Sequence, residues 1–294
     1  MAVDVTVRAN NRVIDGLQKE NEGDWEGGFC FIQAADTQYG MIDSYEDNGD
    51  GTRWEKERLL TREAIRGANR MIPKPKFFIV CGDLVDAMPG SPVKDEQIRN
   101  LKDDLRLLDN SIPLICVCGN HDVGNSPTQE SVDRYRESFG DDFFSFWVGG
   151  VKFLVVNSQY YEDSSQVPTL KKDQDQWLDQ QLESEDWKHL VVFQHIPWFL
   201  RTPDEDDEYF NINTDVRLPM LEKFHKAGVR KIFCGHYHRN AGGFYQDLEL
   251  IVTSAVGCQM GDQKSGFRVV TVNEKDIQHQ YYELDQIPVN IKLH

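Results

Sequence analysis

Phe77-Phe78-Ile79-Val80-Cys81-Gly82-Asp83-Leu84-Val85-Asp86 is an apolar run that ends in a glycine and then releases two carboxylates three residues apart. Five apolar residues bounded upstream by Pro73 and Pro75 read as a buried strand, and Gly82 lets the backbone turn sharply where it stops. Two further stretches share this design. Leu114-Ile115-Cys116-Val117-Cys118 leads into Gly119-Asn120-His121-Asp122, and Val229-Arg230-Lys231-Ile232-Phe233-Cys234 leads into Gly235-His236-Tyr237-His238. All three strands finish in Cys-Gly followed by metal-ligand side chains, and open α/β sheets place their sites at strand carboxyl ends. Asp83 is the candidate bridge between two metal ions.

Upstream of that core, Phe29-Cys30-Phe31-Ile32-Gln33-Ala34-Ala35 reads as another buried strand, ending at Asp36-Thr37-Gln38-Tyr39-Gly40. Leu60, Ala64, Ile65, Ala68 and Met71 recur at helical spacing, and Ile98, Leu101, Leu105 and Leu108 mark a second helix. Strands alternating with helices imply parallel pairing through right-handed crossovers. Beyond residue 142 the pattern changes: Phe143 to Val148, Gly149-Gly150 and Val151 to Val156 read as a hairpin. His189 to Gln194 is a strand delivering His195, and Leu248 to Val252, Phe267 to Val272 and Ile277 to Tyr282 read as a closing meander. The expected organisation is a polar, irregular or flexible lead-in over 1–28, one domain over 29–285 and a tail over 286–294.

Forty-nine acidic against 32 basic side chains give the 294-residue chain a formal charge of -17. That balance argues against a sequence-independent nucleic-acid or anionic-membrane binder, since both need a basic face. It also repels phosphorylated substrates, so a phosphate site would need local positive charge, which bound divalent metals supply. No run of about eighteen apolar residues exists to span a bilayer, and Met1 to Glu22 has no apolar signal core. Cys81, Cys116, Cys118 and Cys234 lie inside apolar runs, where buried thiols in a reducing, cytoplasmic setting are the simplest reading.

The blocks Asp36-x-Gln38, Gly82-Asp83-x-x-Asp86, Gly119-Asn120-His121-Asp122, His195 and Gly235-His236-x-His238 resemble, in type and order, those of the calcineurin-like metallophosphoesterases. The resemblance implies an α/β fold of four layers, an αββα sandwich with two mixed β-sheets flanked by helices. It further implies two divalent metal ions, one held by Asp36, Asp83 and His238 and the other by Asp83, Asn120, His195 and His236. Such a centre holds an attacking hydroxide and clamps the phosphoryl oxygens during in-line displacement. By the same resemblance His121 protonates the leaving alkoxide, with Asp86 orienting its ring. Where the family has histidine this chain has Gln38, a harder and weaker ligand that leans the site toward Mg or Mn, with Fe and Zn as alternatives. Whether Gln38 coordinates is left open.

Gly23-Asp24-Trp25, the Asp-Thr-Gln variant and His195-Ile196-Pro197-Trp198 resemble a vertebrate branch of cytoplasmic serine/threonine phosphatases, implying a phosphoprotein substrate in protein kinase B signalling. A nucleotide phosphodiesterase or pyrophosphatase and a non-catalytic scaffold are the competing classes. Among the remaining features, Trp198, Tyr39 and Tyr160 are expected to line the mouth or merely to pack, and Arg201, Arg239 and Asn240 are candidate phosphate contacts. Asp204 to Glu208 reads as a solvated acidic loop near the cleft. Glu46, Asn48, Asp50, Gly51 and Glu57 fall at calcium-loop spacing, but a solvated loop is the preferred reading. His189, His225, His279 and His294 are read as structural or exposed.

Overall fold

The structure is a computed structural model and describes residues 7–183 and 186–293; His294 and the first six residues of the lead-in lie outside them. In chain order the elements are α1 (Lys19–Glu22), β1 (Phe29–Ala34), α2 (Glu55–Arg70), β2 (Phe78–Cys81), α3 (Lys94–Leu105), β3 (Leu114–Val117), α4 (Asn120–Val123) and α5 (Gln129–Phe139). There follow β4 (Phe144–Val148), β5 (Val151–Val155), α6 (Gln159–Glu162), α7 (Pro168–Leu182), β6 (His189–Phe193), α8 (Thr214–Lys226), β7 (Val229–Cys234), β8 (Ala241–Tyr245), β9 (Leu248–Val252), β10 (Gly266–Val272) and β11 (Ile277–Glu283).

The strands form two mixed sheets, ordered β11-β10-β1-β2-β3 and β4-β5-β6-β7-β9-β8. β1, β2 and β3 are parallel to one another, as are β5, β6, β7 and β9, while β10, β11, β4 and β8 pair antiparallel. Every residue of β1 is buried, yet its two faces differ in destination, because successive side chains point to opposite sides. Cys30, Ile32 and Ala34 meet the helical layer of Ala64, Ile65, Leu101 and Val132. Phe29 and Phe31 face the other sheet, where Phe77, Phe146, Phe153, Phe193 and Phe233 fill the space between the sheets. The outer face of the second sheet, through Leu190, Val192 and Ile232, packs on Leu178, Leu221 and Phe224. The four expected layers are present. Each fully buried phenylalanine between the sheets stabilises the fold by roughly 1.5–3 kcal/mol.

Two expectations need correction. Residues 7–28, irregular apart from α1 as expected, do not stand apart from the domain: Ala9 and Ile14 are buried against the core between the sheets, and the Val7 N–H bonds the Leu114 carbonyl. The C-terminal strands are not one meander either. β8, weakly marked by Gly242-Gly243, pairs with β9 in the second sheet, whereas β10 and β11 close the first. A strand order that alternates between sheets needs long-range pairing, which local alternation does not encode.

Candidate metal centre

The carboxyl ends of β1, β2 and β3 meet those of β6 and β7 across the gap between the sheets. Main-chain bonds knit them together: Asp36 N–H to Gly82 carbonyl at 3.1 Å, Gln38 N–H to Asp83 carbonyl at 3.0 Å and Gly235 N–H to His195 carbonyl at 3.0 Å. Of nine non-glycine residues with positive φ among the described residues, five are Asp36, Gln38, Asp83, His236 and His238. Left-handed backbone costs such residues on the order of 1–3 kcal/mol each and persists where surroundings enforce it. The Cys-Gly repetition now has a cause. A Cβ on Gly235 would lie 2.6 Å from Asp36 Oδ2, and one on Gly119 would collide with Asp83, so only glycine lets the strand ends approach so closely.

Two groups of donor atoms result, each within 4.8 Å and wholly buried: Asp83, His195 and His236, and Asp36, Asp83 and His238. Asp83 belongs to both. Main-chain carbonyls orient each imidazole, Cys81 holding His195 Nδ1 at 2.8 Å, Tyr209 holding His236 Nε2 at 3.1 Å and Cys258 holding His238 Nδ1 at 2.5 Å. Asn120 adds an oxygen, its Oδ1 lying 3.1 Å from His195 Nε2 while its amide nitrogen donates outward to Asn125 Oδ1 at 3.0 Å. Further carboxylate bonds lock the loops. Asp83 Oδ1 accepts from His121 N–H at 2.9 Å, Asp122 accepts from Gly119 N–H at 2.8 Å and Leu84 N–H at 3.1 Å, and Asp36 Oδ2 accepts from His236 N–H at 3.1 Å.

The electrostatics follow from burying so many charges together. Burial, with Asp83 nearby, pushes the Asp36 carboxyl well above the usual range. Burial also opposes charge on Asp83, but His195 and His121 outweigh it and hold that carboxyl well below. Burial lowers His236 to about 3 and His238 to about 4, so both are neutral, as imidazole ligands must be. His195, despite burial, is raised to about 9 by Asp83 and Asp36.

Residues 31–240 match the family model for calcineurin-like phosphoesterases. The chain belongs to this family. It is 50% identical over 292 residues to the serine/threonine-protein phosphatase CPPED1 of Mus musculus, covering 97% of this chain and 94% of that one. It is 51% identical over 288 residues to the CPPED1 of Homo sapiens, covering 95% and 91% respectively. Among solved structures, a dimetal phosphatase from Danio rerio shares the fold with a TM-score of 0.60 at 16% identity, covering 87% of this chain and 99% of that one.

For a calcineurin-like phosphoesterase the donor set fits divalent cations. Gln38 is buried, its Nε2 donates to Asp86 Oδ1 at 3.3 Å, and its Oε1 has no hydrogen-bond partner. An orphaned buried carbonyl beside Asp36 and Asp83 is the kind of oxygen a hard cation accepts. The structure places His121 at the rim, partly exposed, with Asp86 alongside. The shorter contact, 2.5 Å, runs from His121 Nδ1 to the Asp86 main-chain carbonyl, and the carboxylate stands at 3.5 Å, tied up by Gln38 and Ser44. The orienting group is therefore mainly backbone.

The remaining side chains divide between those that fall as read and those that fall elsewhere. Trp198, Tyr39 and Tyr160 are buried, not at the mouth, and the two tyrosine hydroxyls bond Asp104 at 2.9 Å and Asp142 at 2.7 Å. Asn240 is engaged by Arg268 at 2.8 Å, and Arg239 lies over the Tyr237 ring. Glu57, the last of the calcium-spaced residues, is turned inward to accept from Gly40 and Ile42 N–H. Cys81, Cys118 and Cys234 are buried, and burial raises each thiol above its ordinary range, which disfavours the reactive thiolate. His189, His225 and His279 have structural partners in Asn273, Asp247 and Arg268. Three side chains near the site carried no sequence signal. Lys94 donates at 2.8 Å to the carbonyls of Ala87 and His121, bracing the loop that carries His121; Tyr209 holds His236 through its carbonyl, and Arg217 bonds the Glu205 carbonyl of the stretch that carries Tyr209.

Proposed function

We propose that this chain is a metal-dependent phosphomonoesterase acting on phosphoserine or phosphothreonine of a signalling phosphoprotein in the reducing cytoplasm. The observation that carries this reading is the sharing of Asp83 between two buried donor groups, the arrangement a dinuclear phosphoesterase needs. Asp36, Asp83, His238 and Gln38 would hold one divalent cation, and Asp83, Asn120, His195 and His236 the other. When bound, the cations supply Lewis-acid charge for the phosphoryl oxygens and for activating water. His121 carries the proton for the leaving alkoxide, its ring held by the Asp86 carbonyl and its backbone braced by Asp83 and Lys94. The choice of a protein substrate rests on the near full-length likeness to phosphatases bearing that name.

The test is hydrolysis by metal-stripped protein reconstituted separately with Mg, Mn and Zn, offered a phosphoserine peptide of protein kinase B, a cyclic nucleotide and a nucleotide diphosphate ester. Peptide turnover that depends on added metal is the expected result. Turnover of the nucleotides alone would replace this reading with a phosphodiesterase, and none with any metal would leave a scaffold.

A further inference from the structure

The acidic stretch after β6 is a built wall. Glu205 accepts main-chain N–H bonds from Leu200, Arg201 and Thr202 and a side-chain bond from Asn211 at 2.9 Å. Asp207 accepts from Thr214 N–H at 2.8 Å and from Arg217, whose fully buried guanidinium also bonds the carbonyls of Trp198 at 3.2 Å and Glu205 at 2.5 Å. Two of its carboxylates are thus spent on fixing the backbone, which moves the expectation of a solvated loop to Asp204, Asp206 and Glu208. The result is that Tyr209, on this wall, has a defined place.

That place is over the metal centre. The Tyr209 ring lies 5.1 Å from that of His236, its carbonyl bonds His236 Nε2, and its hydroxyl oxygen accepts from the Asn120 amide at 3.4 Å. Yet Tyr209 is 62% exposed, an unusual state for an aromatic this well positioned. A phenol both donates and accepts, and among the described residues its own proton has no acceptor. No lysine or arginine side chain among the described residues hydrogen-bonds Asp36, Asp83, Asn120, His195, His236 or His238.

Building on the phosphomonoesterase reading, we infer that the Tyr209 hydroxyl is a substrate contact, donating its proton to a phosphoryl oxygen seated against Asn120. In an acidic chain a neutral phenol supplies a donor where a guanidinium would otherwise be required. The 200–213 wall then serves both to orient His236 and to grip substrate.

The test compares Tyr209→Phe, which keeps the ring and main chain, with the parent in two measurements on the metal-loaded protein. One is affinity for inorganic phosphate by calorimetry and the other is kcat/KM on a phosphoserine peptide. Loss of a hydrogen bond to a charged group predicts a drop of about tenfold or more in each, with metal content unchanged. Phosphate affinity within twofold of the parent overturns the inference. A parent that binds phosphate but hydrolyses no phosphoester defeats the functional reading alone, leaving Tyr209 to be judged on affinity, and a parent that binds no phosphate overturns both.

Discussion

The first sheet brings oxygen to the pocket, through Asp36, Gln38, Asp83 and Asn120, whereas the second brings nitrogen, through His195, His236 and His238. The two sides are also fastened differently. Carboxylates on the oxygen side accept backbone N–H groups, as Asp83 does from His121, while imidazoles on the nitrogen side are held by carbonyls at their outer ring atoms. Each kind of fastening includes one bond that crosses over: Asp36 of the first sheet captures the His236 N–H of the second, and the Cys81 carbonyl orients His195. Neither sheet therefore holds a half-site alone, and the geometry exists only when the layer between them is packed.

The sharpest way to break this comparison is to remove the one carboxylate both donor groups share. Asp83→Asn is expected to lose both ions and about a thousandfold or more in turnover, the equivalent of several kcal/mol of charge stabilisation. His236→Ala and His238→Ala, which each touch one group, are expected to lose one ion apiece. Elemental analysis after dialysis distinguishes a stoichiometry of zero from one, and equal losses in all three variants would dissolve the distinction between a shared carboxylate and unshared imidazoles.

His121 separates chemistry from ligation on the oxygen side. His121→Ala is expected to retain both ions and lose about 10²–10⁴ in kcat on an alkyl phosphoester. The loss should be far smaller on an aryl ester whose leaving group needs no proton. An equal loss on both would mean that the residue acts on the metal centre and not on the leaving group. Gln38→His swaps an oxygen for a nitrogen on the first sheet and so blurs the division directly. Since histidine tolerates the left-handed backbone seen there, φ 37°, metal affinity should rise by about tenfold, roughly 1.4 kcal/mol, with preference moving toward Zn. Metal titration at fixed pH checks it.

What could be read in the sequence, and what could not, follows the same physical line. Every candidate ligand sits two to four residues beyond an apolar strand, so local pattern locates it, and burial of both faces makes those strands conspicuous. Strand and helix alternation gave the parallel pairing, while the four layers came from the resemblance carried by the family blocks. The partners that orient the ligands were not: Tyr209, Lys94 and Arg217 act through contacts separated by many residues, and a lone tyrosine in an acidic stretch has no local signature. For Trp198, Tyr39 and Tyr160 the sequence left mouth and packing both open, because an aromatic in a loop looks the same whether it meets substrate or a buried carboxylate such as Asp104; the structure shows packing. Asp86 was assigned its role by its carboxylate, while the closer contact to His121 comes from its carbonyl, a group every residue carries.

The smallest expected effect tests whether polar links between the sheets matter only at the pocket. Away from it, Glu249 of the second sheet, paired with Lys231 beside it, meets His279 of the first at 3.2 Å, and Arg268 reaches from His279 to the Thr253 hydroxyl at 2.9 Å. Burial works against charge on Glu249, but His279 and Lys231 overcome it and lower its carboxyl to about 2. A carboxyl lowered on folding contributes stability that is fully present above its unfolded value, near 4.5, and is lost as pH falls through about 2. Glu249→Gln should therefore cost about 1 kcal/mol at neutral pH, a figure reduced for partial solvent screening, and the gap to the parent should close between pH 4.5 and 2. Urea midpoints at pH 7 and 3 measure it, with turnover at pH 7 expected within twofold of the parent. A large loss of turnover instead would mean that this tie, too, sets the pocket, and that the two sheets are aligned along their whole length and not merely at the strand ends.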